Sequence, residues 1–157
     1  MTGEIVFENA TARIGAHRNV LVVKWCDAPK GIAELREFER YGKKLTAEYE
    51  KKAVFANVIV GGTPSFSQEA RDEVTRLTRS PMFLLGTAQI ILVQGLAGVA
   101  VRAFLSTSFL LARNKTPNKV FGDLDFGIDW LLGRLREGPV AWTRPELATF
   151  VKHVVEV

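Results

Sequence analysis

Cysteine is nearly absent from this chain of 157 residues: Cys26 is the only one. That excludes an intrachain disulfide and gives no sign of an oxidising compartment. Histidine is almost as scarce, with His17 and His153 alone, and with Cys26 they lack the paired spacings of a zinc site. A phosphate-binding loop ending in Gly-Lys-Ser/Thr is missing, as is the Gly-x-Ser-x-Gly turn that presents a nucleophilic serine. No catalytic residue, metal ligand or cofactor motif can therefore be named, and a non-enzyme is the expectation. A dense basic patch is lacking too. The net charge of +4 comes from residues dispersed along the chain, among them Lys43, Lys44, Arg71, Arg76, Arg79, Arg102, Arg113, Lys115 and Arg134. Nucleic-acid binders concentrate such charge on one face beside a recognisable motif, so that class is set aside. The opening "MTGEIVFENATARIG" carries no basic segment followed by an apolar one, so it does not read as a signal peptide and a cytoplasmic protein is expected.

What is present is the composition of a folded domain, 47% hydrophobic and 24% charged. One stretch strains the cytoplasmic expectation. From Pro81 to Val101, "PMFLLGTAQIILVQGLAGVAV" runs 21 residues without a charge, long enough to cross a bilayer. Thr87, Gln89, Gln94 and three glycines divide it, and the apolar character continues past Arg102 with no membrane boundary. A buried strand followed by a buried helix fits both halves, with membrane association left as an alternative.

The hydrophobic pattern predicts two strands, in "TARIG" and "NVLVVKW", joined by a turn at His17 to Asn19. A helix over Ile32 to Glu50 follows, with Ile32, Leu35, Phe38, Tyr41, Leu45 and Tyr49 on one face and Glu34, Arg36, Glu37, Lys43 and Lys44 on the other. "VFANVIV" and "AQIILV" read as interior strands covered on both sides. Helices are expected over Gln68 to Arg79, within "GLAGVAVRAFLSTSFLLAR", and in "LDFGIDWLLGRLRE"; "NKVFGD" supplies a last strand. Alternation of strands and helices implies a single α/β domain over 1–137, with a mixed, mainly parallel sheet of about five strands. Residues 138–157 form an extension in which Thr143 caps a helix, Pro145 opens it, and Leu147, Phe150, Val151 and Val154 share a face. That face either packs back on the domain or docks a partner.

The order of elements resembles the STAS domain of bacterial anti-sigma-factor antagonists and, within it, the SpoIIAA-like group, whose fold is compared with Sec14-type lipid-binding domains. The resemblance covers about Glu8 to Glu137 and rests on "VFANVIV", "AQIILVQGLAGVAVRAFLSTSFLLAR" and "NKVFGDLDFGIDWLLGRL". It implies a signalling or scaffolding domain acting through protein–protein contacts. In antagonists of this type a phosphorylatable serine sits where an interior strand turns into a helix. The corresponding stretch here is "GGTPSFSQ", with hydroxyls at Thr63, Ser65 and Ser67 but without the aspartate, paired hydroxyls and glycine of the family pattern.

The same stretch has a plainer reading as a helix start, with Ser65 and Gln68 spaced as a capping box and Ser67 a second cap. Asp123, Asp125 and Asp129 in "DLDFGID" lack the spacing of a calcium loop and suit the positive end of a helix. Arg102 is the only charge between Arg79 and Arg113. It must reach solvent, find a carboxylate or meet an anion. Under the Sec14 comparison it would face the anionic head group of a lipid-like ligand, with Phe104, Phe109 and Leu110 lining the cavity. The candidate surfaces for a protein partner are Thr63 to Ser67 and the apolar helix over 95–113. That helix or the C-terminal one would also serve a homo-oligomer.

Overall fold

The computed structural model describes residues 3–26, 31–61, 68–79, 82–100, 102–103 and 116–155. Six strands form one sheet in sequence order: β1 (Glu4–Glu8), β2 (Ala12–His17), β3 (Val20–Trp25), β4 (Val54–Ile59), β5 (Gly86–Ile91) and β6 (Asn118–Phe121). The first three make an antiparallel meander, while β3 to β6 pair in parallel. The mainly parallel α/β architecture is as expected, with six strands rather than five.

The additional strand is β1, "EIVFE", whose alternation is broken. A register shift between Ile5 and Phe7 inserts an extra residue. Ile5 then packs on one face of the sheet, while Val6 and Phe7 both pack on the other. A bulge of this kind removes the period-2 signal by which a strand is recognised. The β2–β3 hairpin closes through a two-residue loop in which Arg18 takes the left-handed conformation, φ 48°.

The helices are α1 (Ile32–Glu48), α2 (Gln68–Arg79), α3 (helical at 95–100 and 102–103), α4 (Leu124–Leu135) and α5 (Arg144–Val155). The parallel strands advance one place at each crossover, so right-handed connections put successive helices on one face. Leu35 and Leu45 of α1 and Val74 of α2 accordingly pack with Leu21, Val23, Phe55, Ile59 and Ile91. On the opposite face, Ile128, Leu131 and Leu135 of α4 and Leu147, Phe150, Val151 and Val154 of α5 cover Val20, Val22, Val54, Ala56, Val58, Ala88 and Ile90. The apolar face of the C-terminal helix thus lies against the domain's own sheet. Covered on both sides, β3 is buried at every residue.

Three local features position these layers. Thr143 and Glu146 form a reciprocal cap at α5: the Glu146 N–H donates to Thr143 Oγ1 at 3.3 Å and the Thr143 N–H to Glu146 Oε2 at 2.9 Å. Gly127 brings α4 against the sheet, since a Cβ there would lie 2.5 Å from Ile90 Cδ1. Glu34 differs from its expected place on the outer face of α1. It is buried, its Oε2 accepting the Gly31 N–H at 3.1 Å and its Oε1 the Asn9 side-chain amide at 3.0 Å. Two satisfied lone pairs make a buried carboxylate tolerable.

Candidate functional site

Strands β3 to β6 end together at Trp25, Ile59, Ile91 and Phe121, and α/β sheets place their binding sites at that carboxyl edge. The stretch with Thr63, Ser65 and Ser67 connects β4 to α2 but lies outside the described residues, as do Phe104, Phe109 and Leu110. The capping roles of Ser65 and Ser67 lie outside them for the same reason.

Arg102 is described. It reaches back from α3 so that Nη1 donates to the backbone oxygens of Ile91 at 3.3 Å and Val93 at 3.4 Å, while its guanidinium flanks Gly122. Arg102 is half-buried, and these backbone oxygens are its hydrogen-bond partners among the described residues. It ties α3 to the end of β5, where carbonyls leaving the sheet lack strand partners.

The uncharged 81–101 run divides as its polar residues imply, into β5 and then α3 across residues 92–94. No helix among the described residues is long and apolar enough to cross a membrane. Of the small residues in α3, Gly98 carries the close approach: a Cβ there would fall 1.9 Å from the Val93 carbonyl oxygen. Ala97 and Ala100 instead face outward. Beside them Leu96 is 88% exposed and Val99 55% exposed, and Phe126 in the first turn of α4 is 68% exposed.

Beneath α1 and α2 the sheet carries a row of polar side chains. Trp25 Nε1 donates to Asn57 Oδ1 at 2.6 Å, and Asn57 Nδ2 donates to Gln89 Oε1 at 2.6 Å. Asn57 and Gln89 are direct neighbours in register on β4 and β5. Gln89 is 8% exposed and Asn57 half-buried. Neither amide was singled out for a site in the sequence. The signal was there: each is the lone amide, at the fourth position, of a largely apolar strand.

Outside this layer, α1 and α2 border a shallow groove of about 460 Å³ lined by Arg36, Glu39, Arg40, Lys43, Glu73 and Arg76. Arg76 bridges Glu39 and Glu73, and Lys43 reaches Glu39 at 2.8 Å. The hydrogen bond from Lys43 and then the contact from Arg76 hold Glu39 below the usual carboxylate range, and Arg76 lowers Glu73 in the same way. The groove is a solvent-facing ion-pair network that joins the two helices.

Comparison with known proteins finds no match: no family model, no curated protein and no solved structure resembles this chain closely enough to place it. Function must be argued from the side chains themselves.

The aspartates of "DLDFGID" are engaged in structure: Asp123 Oδ1 accepts the Phe126 N–H at 3.0 Å to cap α4, and Asp129 and Asp125 accept Arg144 at 2.6 and 3.4 Å. Among the described residues no group of three metal-ligating side chains gathers. His17 pairs with Val20 at one end of β3 and Cys26 follows its other end, a separation of about 20 Å at strand rise. His17 lies edge-on to Trp142, with ring centroids 5.3 Å apart, and tilted against Phe150 at 5.6 Å. Burial, then the nearby Arg18, lowers its pKa from the ordinary 6.5. This histidine anchors α5 at the amino end of the sheet, far from the carboxyl edge.

Proposed function

We propose that this chain is a non-catalytic domain that binds another protein through the carboxyl edge of its sheet, with α3 as the contact helix. The supporting observation is the outward face of α3, where Leu96 and Val99 stand 88% and 55% exposed beside exposed Ala97 and Ala100. Exposed apolar side chains are unremarkable singly but mark interaction sites when contiguous. The pattern resemblance to STAS and SpoIIAA-like domains points the same way, and it would put regulation at Thr63, Ser65 or Ser67, in the β4–α2 connection on that edge. The lipid-like alternative has less behind it, because Arg102 already directs Nη1 to two backbone carbonyls.

The test is a Leu96→Glu, Val99→Glu double variant compared with the parent in quantitative capture from cells of the source. Proteins held by the parent should be lost by the variant, with the denaturation midpoint unchanged because both side chains are exposed. Equal capture by both forms contradicts the reading. Loss of binding to lipid vesicles, with no change in captured protein, transfers the surface to a membrane role.

A further inference from the structure

The groove between α1 and α2 is built in two tiers. At its floor lie Glu39 and Glu73, each with a side chain 17% exposed, and at its rim stand Arg40, Lys43 and Arg76, which are 65%, 66% and 54% exposed. Arg36, exposed as well, completes the lining. Four cations thus surround two carboxylates, and the carboxylates are the groups withdrawn from solvent. Whatever approaches from outside meets positive charge. The cations differ in how far they are committed. Arg76 bridges both floor carboxylates, and Lys43 adds a second contact to Glu39. Arg40 reaches Glu37, outside the lining, at 3.0 Å. Arg36 makes no hydrogen bond or ion pair among the described residues. Glu73 is held below the usual carboxylate range by the Arg76 contact first and by the charge of Arg36 last.

The lining narrows the class of occupant. It holds neither an aromatic nor an aliphatic side chain, so a nucleic-acid base has nothing to stack on and a lipid chain nothing to lie against. A solitary ion gains little from exposed charges in water, so the complement is an occupant carrying several carboxylates. Arg36, Arg40 and Lys43 follow one another at steps of four and three residues on one face of α1, a span of about 10 Å at helix rise. Guanidinium groups suit carboxylates because they can donate two parallel hydrogen bonds. We propose that this groove docks an acidic peptide segment of a partner protein, its carboxylates engaging Arg36 and Arg40 at the rim while Arg76 keeps its bridge to the floor. The site uses no residue of α3 and does not rest on that helix binding a protein.

The probe is a fluorescein-labelled hexaglutamate peptide, titrated with the full chain at low salt and followed by anisotropy. Binding should saturate and should weaken as salt is raised. Arg36→Gln combined with Arg40→Gln should weaken it about tenfold, with the urea midpoint unchanged because both side chains are exposed. Lys119→Gln combined with Lys152→Gln removes the same charge from β6 and α5 and should weaken it far less. Equal loss in the two double variants would reduce the effect to net charge and overturn the proposal, as would the absence of saturable binding by the parent. Tighter binding of a labelled hexathymidylate, lost with Arg36 and Arg40, would overturn it in favour of nucleic acid.

Discussion

On the α4/α5 side of the sheet, Val20, Val22, Val54, Ala56, Val58, Ala88 and Ile90 are all sealed beneath apolar helix residues. The same central strands turn Asn57, Thr87 and Gln89 to the α1/α2 side, joined there by Asn118 of β6. Within β4 and β5 the α4/α5 face is apolar throughout, and Lys24 of β3, in register with Val58, brings a buried charge to it. The other interrupts its packing with hydrogen-bonding groups that are linked in a row. Apolar residues would cover that second face at least as well, because satisfied polar groups add little net stability in the interior. The first face rests on apolar packing, and the second carries polar groups that the fold is expected to tolerate losing.

The largest effect is expected on the sealed side. Phe150→Ala removes a fully buried ring wedged beside His17 and Val154 and should cost about 3–5 kcal/mol, read as a lowered urea midpoint with loss of α5 protection in hydrogen exchange. On the polar side, Asn57→Val strands the Trp25 N–H and the Gln89 oxygen together. It should cost about 1–3 kcal/mol, with a shift in tryptophan emission. A cost equal to that of Phe150→Ala would erase the distinction between the faces.

A smaller effect is expected from pH at the α5 anchor. The folded-state pKa of His17 is lowered, chiefly by burial, so folding favours the neutral ring. Its contribution is complete above the unfolded value near 6.5 and is lost as pH falls through the lower folded value. The parent's urea midpoint should therefore decline between pH 7 and pH 5 more than that of His17→Phe, and parallel curves would contradict the assignment. Smallest of all is Arg76→Ala. The groove it bridges faces solvent, where ion pairs are screened, so the midpoint should stay within measurement error of the parent.

Much of this architecture was legible beforehand. Long periodic segments such as Ile32 to Glu48 and Gln68 to Arg79 announce themselves, and Thr143 and Asp123 signal helix starts by residue type alone. β1 escaped because its bulge destroys alternation over five residues. Glu34 was misplaced because its spacing puts it among solvated charges, while the Gly31 amide and the Asn9 side chain, 25 positions earlier, draw it inward. For the site, the carboxyl edge followed from topology, whereas the Asn57–Gln89 contact joins residues 32 apart. Only the parallel register of β4 and β5 brings them together. Arg102 was visible as an isolated cation, but the Ile91 and Val93 backbone carbonyls that receive it are spelled by no residue type.

If the polar row is not required by the fold, equilibrium urea unfolding of a combined variant will show it. Trp25→Phe, Asn57→Val and Gln89→Leu together remove every member of the row, so no donor or acceptor of the three is stranded. The triple variant should be at least as stable as Trp25→Phe alone and more stable than Asn57→Val alone, because matched apolar replacement of both partners is close to neutral. A triple variant less stable than either single one would contradict the account and make the row a structural element of the sheet.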